Sequence, residues 1–130
     1  MRSIFLVIFL LAGLTLLAAC SGAAAPSPTP VQAGPKISLT TNPDPPRSGE
    51  VELMVTVNDA SGQPIPDADV FVFADHTEMK GMNMNGRATP QGGGRYTIAA
   101  NFSMSGPWKV TVQVKKTPLD VAQEFNLEFQ

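Results

Sequence analysis

The sequence predicts an all-β domain, an antiparallel β-sandwich of about seven strands, preceded by an export address and a tether. Three observations carry that reading. From residue 36 onward, apolar residues recur at every second position, the period of a strand with one buried and one wet face. Twelve prolines and eleven glycines in 130 residues interrupt the chain too often for long helices. The densest Gly and Pro runs fall between the alternating segments, where turns are needed.

Residues 1–19 read as a lipoprotein signal peptide. Arg2 precedes an apolar run over residues 4–17, broken only by Gly13 and Thr15. That run suits a signal-peptide core and falls short of the roughly 20 residues that span a bilayer. It ends in Leu17-Ala18-Ala19-Cys20, which resembles the bacterial lipobox. The resemblance implies that Cys20 is lipidated and becomes the first residue of the mature protein. The alternative is an ordinary signal peptide with a chance cysteine. Cys20 is the only cysteine, so the chain has no internal disulfide and its stability must come from packing. Residues 20–35 then form a lipid-anchored linker, Pro- and Ala-rich and uncharged up to Pro35, too small and polar to bury a core. The sandwich domain is residues 36–130.

Within it, strands are expected at 37–41, 50–58, 68–75, 87–89 (the weakest), 95–102, 108–116 and 119–129. Val51, Leu53, Val55 and Val57 alternate with Glu52, Met54, Thr56 and Asn58. Tyr96, Ile98, Ala100 and Phe102 share one parity, as do Trp108, Val110, Val112 and Val114, and Val121, Phe125, Leu127 and Phe129. NPDPPRSG at 42–49, ASGQPIPDA at 60–68, QGGG at 91–94 and SGP at 105–107 separate the strands as turns. Short alternating strands at this spacing make the pattern of an immunoglobulin-like sandwich, with a small antiparallel barrel as the alternative. The strand over 68–75 is apolar on both faces, Val70 and Val72 on one, Phe71 and Phe73 on the other. It is therefore expected to be central, with its outer face covered; the methionine loop follows it immediately, though pattern alone does not place that loop over Phe71 and Phe73.

Composition excludes several functions. Nine Lys plus Arg against eleven Asp plus Glu leave a net charge of −2, with no basic patch for nucleic acid. His76 is the only histidine. One chain therefore cannot supply the ligands of a blue-copper centre or a closed zinc site, nor a Cys–His pair. No phosphate-binding glycine loop is present, and no small-molecule substrate is evident. The chain reads as a non-enzyme.

Thioether chemistry remains. The run HTEMKGMNM places Met79, Met82 and Met84 within nine residues of the chain, beginning at His76. Thioethers are soft donors that select Cu(I), and imidazole is also compatible with copper. In an extended segment Met82 and Met84 point to one face and Asn83 and Asn85 to the other. A turn at Lys80-Gly81 could bring His76 and Met79 against that face. Met104 is a further candidate, because its parity continues that of Phe102 into the SGP turn. The bland alternatives are a hydrophobic plug over Phe71 and Phe73, a solvated loop histidine, Met104 in the core, and Met54 at the surface.

The stretch from NPDPPRSGEVELMVTVNDASGQPIPDADVFVFA through HTEMKGMNM to GGGRYTIAANFSMSGPWKVTVQV resembles the YtkA-like domain family, related to FixH. Its marks are the Met/His loop, Gly94-Arg95-Tyr96, and Met104-Ser105-Gly106-Pro107-Trp108. The resemblance implies an exported or membrane-anchored β-sandwich concerned with copper handling and haem–copper oxidase assembly. It implies His76, Met79, Met82 and Met84 as the copper positions. Two functions follow as expectations. One is a tethered extracytoplasmic protein, periplasmic or on the outer face, that holds or delivers Cu(I) as a metallochaperone to an oxidase subunit or copper-handling partner. The other is a metal-free module that binds a membrane protein partner through the loop.

The anchor is testable directly. One acyl chain binds membranes only marginally, so stable anchoring implies more than one chain on Cys20. Cys20→Ala is expected to move the protein out of the membrane fraction. Unchanged fractionation with the signal peptide removed would refute the lipid anchor.

Overall fold

The computed structural model describes residues 34–130. The signal peptide, Cys20 and nearly all of the linker lie outside the described residues. Eight strands form: β1 (Lys36–Asn42), β2 (Gly49–Asn58), β3 (Asp69–His76), β4 (Asn83–Arg87), β5 (Thr89–Gly92), β6 (Arg95–Phe102), β7 (Gly106–Lys116) and β8 (Leu119–Phe129). They make two four-stranded sheets, one in the order β1-β2-β6-β5 and the other in the order β4-β3-β7-β8. Every pairing is antiparallel. This is the all-β sandwich that the alternation predicts.

The core lies where the two inner faces meet. Val51, Leu53, Val55 and Val57 of β2 are fully buried, as are Val70, Val72 and Ala74 of β3 and Val110, Val112 and Val114 of β7. Fully burying one such valine is worth about 1.5 kcal/mol or more, so ten of these small side chains outweigh any surface ion pair here. Tyr96 adds a polar fastening to this apolar layer. Its hydroxyl accepts the Ala68 N–H at 2.9 Å and donates to the Ile65 carbonyl at 2.7 Å, pinning the long connection between β2 and β3 onto β6. Asp59 organises the start of the same connection. Its carboxylate accepts from the Ser61 hydroxyl and the Ser61 and Gln63 amides. The Ser61 hydroxyl first, then the Gln63 amide, holds the Asp59 carboxyl below its usual value.

Four expectations need correction. The weak strand at 87–89 does not exist as such. The chain runs in one sheet through β4, breaks at Ala88, and joins the opposite sheet as β5. Ala88 is buried, and its N–H donates to the Val70 carbonyl at 2.8 Å, so the crossover itself is held. The count is therefore eight, because part of the supposed loop, Asn83 to Gly86, pairs with β3. The QGGG and SGP runs are not wholly turns. Gln91 and Gly92 belong to β5, Gly106 and Pro107 to β7.

The fourth correction concerns the cover over β3. Phe71 and Phe73 face outward, opposite Arg87 and Asn85 of β4, and Phe73 remains 41 % exposed. What lies over Phe71 is the Arg87 guanidinium, 5.8 Å from the ring centre and paired with Asp69. The methionine loop does not fold over these rings. Its half-buried methionines pack on the core side instead.

Gly94 shows why one turn demands glycine. It adopts φ +73°, and a Cβ there would sit 2.6 Å from the Val57 carbonyl oxygen. That oxygen accepts from Ile65, and the Gly94 carbonyl accepts the Val57 N–H at 2.8 Å. The backbones approach too closely for any side chain.

Trp108 anchors one end of the core at 3 % exposure. It meets Phe102 edge-on at 5.0 Å, and Phe102 stacks on Phe129 at 4.1 Å. Trp108→Ala is expected to cost about 3–5 kcal/mol, the range for large buried aromatics. A denaturation midpoint that does not move would show that this cluster carries no such weight.

Candidate functional site

The end of the sandwich that holds Trp108 also holds the candidate ligands. β3 and β4 form a hairpin in which Ala74 faces Met84 and Asp75 faces Asn83. The register continues one step further, since the His76 N–H donates to the Met82 carbonyl at 2.9 Å. His76 and Met82 are thus cross-strand neighbours, with Met84 diagonal to His76 on the same face. Directly opposed residues have Cβ atoms about 4.5–5.5 Å apart and diagonal ones about 7–8 Å. Alternation sends Asn83 and Asn85 to the solvent side, where both are exposed. Met82 and Met84 are half-buried and pack against the core.

His76 is not a solvated loop residue. It ends β3 and is 7 % exposed. On its other flank it pairs with Trp108 of β7, whose ring it meets edge-on at 5.2 Å. A row of Met82, just before β4, His76 of β3 and Trp108 of β7 therefore runs across this end of the sheet. Both imidazole nitrogens are engaged. Nε2 lies 3.1 Å from the Ser105 carbonyl oxygen, and Nδ1 accepts the Glu78 N–H at 3.2 Å. A carbonyl can only accept, so the ring carries its proton on Nε2 and its lone pair on Nδ1.

The turn between β6 and β7 closes the site from the opposite sheet. The Ser103 hydroxyl donates to the Met82 sulfur at 3.7 Å, and the Met104 carbonyl accepts the Trp108 indole N–H at 3.1 Å. Met104 is half-buried between Ser103 and Ser105, the two residues of that turn that touch Met82 and His76. Gly106 follows with φ +112°, and a Cβ there would meet His76 Nε2 at 3.0 Å. The missing side chain is what lets the imidazole reach the Ser105 carbonyl.

Of the five candidates, His76, Met82 and Met84 share one face, and Met104 lies in the adjoining turn. Met79 stands apart at the tip of the connecting loop, 43 % exposed. Met54 is at the surface, as expected, 38 % exposed. Ser103 and Glu78 were not singled out from the sequence, and Ser105 and Gly106 entered only through the SGP run, which reads as a turn, and the Met104–Trp108 stretch that carries the family resemblance. Among the described residues no three His, Cys, Asp or Glu side chains come together, so a metal held here would rely on thioethers.

Fold and site together define a class: an antiparallel β-sandwich that carries at one end a buried histidine opposite one methionine and diagonal to another. Residues 31–113 match the YtkA-like family, and the chain belongs to it. The matched span ends inside β7, so it takes in the whole hairpin and the turn that closes it. None of the curated proteins compared with the chain matches it.

The histidine's structural contribution can be measured without metal. His76→Phe keeps an aromatic ring beside Trp108 but leaves the Ser105 carbonyl and the Glu78 amide without their partner. Both residues are exposed enough for water to replace it, so the expected cost is about 1 kcal/mol, the low end for a lost hydrogen bond. A chemical denaturation curve identical to that of the parent would show that neither bond contributes.

Proposed function

We propose that this chain is a membrane-tethered, extracytoplasmic copper-binding protein that holds or delivers Cu(I) without catalysing a reaction. The observation that carries the reading is the His76–Met82 pair with Met84 on the same face, closed off by the β6–β7 turn. A ligating histidine ordinarily donates its other ring N–H to a carbonyl, which fixes the tautomer and strengthens the donor. His76 has that partner in Ser105. The residues therefore fit the ion. His76 Nδ1 and the sulfurs of Met82 and Met84 would hold it, with Met79 and Met104 as further thioethers.

The donor set suits a soft monovalent ion. Thioethers carry no charge and compensate a divalent ion poorly, and one imidazole cannot replace the missing ligands for Cu(II) or Zn(II). Imidazole coordinates only in its neutral form, the form the Ser105 and Glu78 contacts already require, whereas thioether donors carry no proton. Delivery to a respiratory oxidase subunit or another copper-handling protein is the use that the sequence resemblance implies. The lipid on Cys20 would keep the domain at the envelope.

A second reading has its own support. Met79 and Phe73 are both exposed, and a metal-free module could use them to grip a membrane protein partner. An anaerobic titration against a competing Cu(I) chelator separates the two. The parent chain is expected to take up a single Cu(I). Met79→Leu, Met82→Leu and Met84→Leu combined should weaken binding by more than the roughly 10–100-fold typical of losing an orienting contact. Leucine nearly conserves methionine's volume, so the fold should survive. Equally poor competition by both proteins would favour the metal-free module.

A further inference from the structure

The one lone pair that His76 offers is already in use, and the group using it belongs to the loop that carries Met79. We propose that the Glu78 backbone amide is a placeholder on His76 Nδ1, which metal coordination displaces, releasing residues 78–81 so that Met79 can turn inward. This deepens the copper reading and rests on it.

The ring has little freedom to offer its other nitrogen. Nε2–H is held by the Ser105 carbonyl at 3.1 Å, and Gly106 packs so closely that even a methyl group there would meet Nε2 at 3.0 Å and Cε1 at 3.4 Å. Trp108 lies edge-on to the ring at 5.2 Å. Turning the ring over would cost the Ser105 bond in a site that is 7 % exposed. Nδ1 is therefore the coordinating atom. An N–H proton and a metal ion cannot share its single lone pair, so the Glu78 amide must leave.

Its departure is cheap and its effect is confined. Glu78 is exposed, and water can replace the imidazole as acceptor for its N–H. The loop stays anchored on both sides. The Thr77 N–H and hydroxyl both donate to the Pro107 carbonyl, at 2.9 and 3.2 Å. At the other end the His76 N–H keeps Met82 paired. Between these anchors lie Glu78, Met79, Lys80 and Gly81, all exposed, with Gly81 at φ +85° as the pivot. Met79 is the one candidate thioether outside the cluster and the one in the segment that the amide controls. A single displacement thus explains how it could join, and why loaded and metal-free chains would show a partner different loops.

The test uses the ¹⁵N-labelled full chain in detergent micelles, followed by NMR with and without Cu(I) kept reduced by ascorbate. On loading, the His76 Nδ1 resonance should shift while Nε2 stays protonated. The Glu78 amide should exchange with solvent faster by about tenfold or more, the signature of a locally opened bond. Met79→Leu, at an exposed position, should fold normally and bind Cu(I) at least about tenfold more weakly, the low end of what losing even an orienting partner of a ligand costs. Cu(I) uptake with Nδ1 and the Glu78 amide unmoved overturns the proposal while leaving the copper reading on the methionines. Equal affinity for Met79→Leu and the parent overturns the inward turn of Met79. No Cu(I) uptake at all removes the copper reading itself, and this proposal with it.

Discussion

Because side chains alternate across a strand, slipping β4 by one residue against β3 would turn Met82 and Met84 to solvent and bring Asn83 and Asn85 inside. The chemistry available at this end of the sandwich therefore depends on the register of one short hairpin. Three features fix it. Ala88, buried just past β4, bonds to the Val70 carbonyl and holds the hairpin's open end. The His76–Met82 bond holds the closed end. Between them Gly86 faces Ile98 of the opposite sheet, leaving room for β4 to lie close to β6. A strand of five residues with no β-branched side chain would be weak alone, and these contacts supply what its sequence lacks.

The same facts explain what could be read from the chain beforehand. β2, β6 and β7 were legible because their apolar residues alternate, and the structure buries or half-buries that face; β8 alternates with a gap at Gln123 and is half-buried except for Phe129. β4 was not, since NMNGR looks like a loop and its inward positions are a methionine and a glycine. The change of sheet at Ala88 leaves no compositional mark. The shared face of Met82 and Met84 followed from alternation alone. The burial of His76 did not, because the carbonyl that orients it comes from Ser105, 29 residues away. Phe71 and Phe73 misled for a related reason. An apolar outer face suggests a cover, but here an Arg87–Asp69 pair lies against Phe71 and Phe73 is left open.

Among the described residues, a cluster of aromatic rings gathers at this end. Trp108, Phe102 and Phe129 interlock behind His76, so the imidazole rests on a wall that cannot easily yield. In front of it residues 78–81 are exposed, held between the Thr77–Pro107 bonds and the His76–Met82 bond. Rigid backing with a yielding front suits a site that must hold a ligand and also give it up, because the donors stay positioned while access varies.

β1 gives the molecule a direction. It enters the sandwich at Lys36, level with Asn58, and reaches the end that carries the site only at Asn42, opposite Glu52. At about 3.4 Å per residue, the length of β1 separates the point where the chain arrives from the end where His76 sits by roughly 20 Å. The strand's start and the histidine thus occupy opposite poles of the domain, so a group attached beside Lys36 has a full strand length between it and the site.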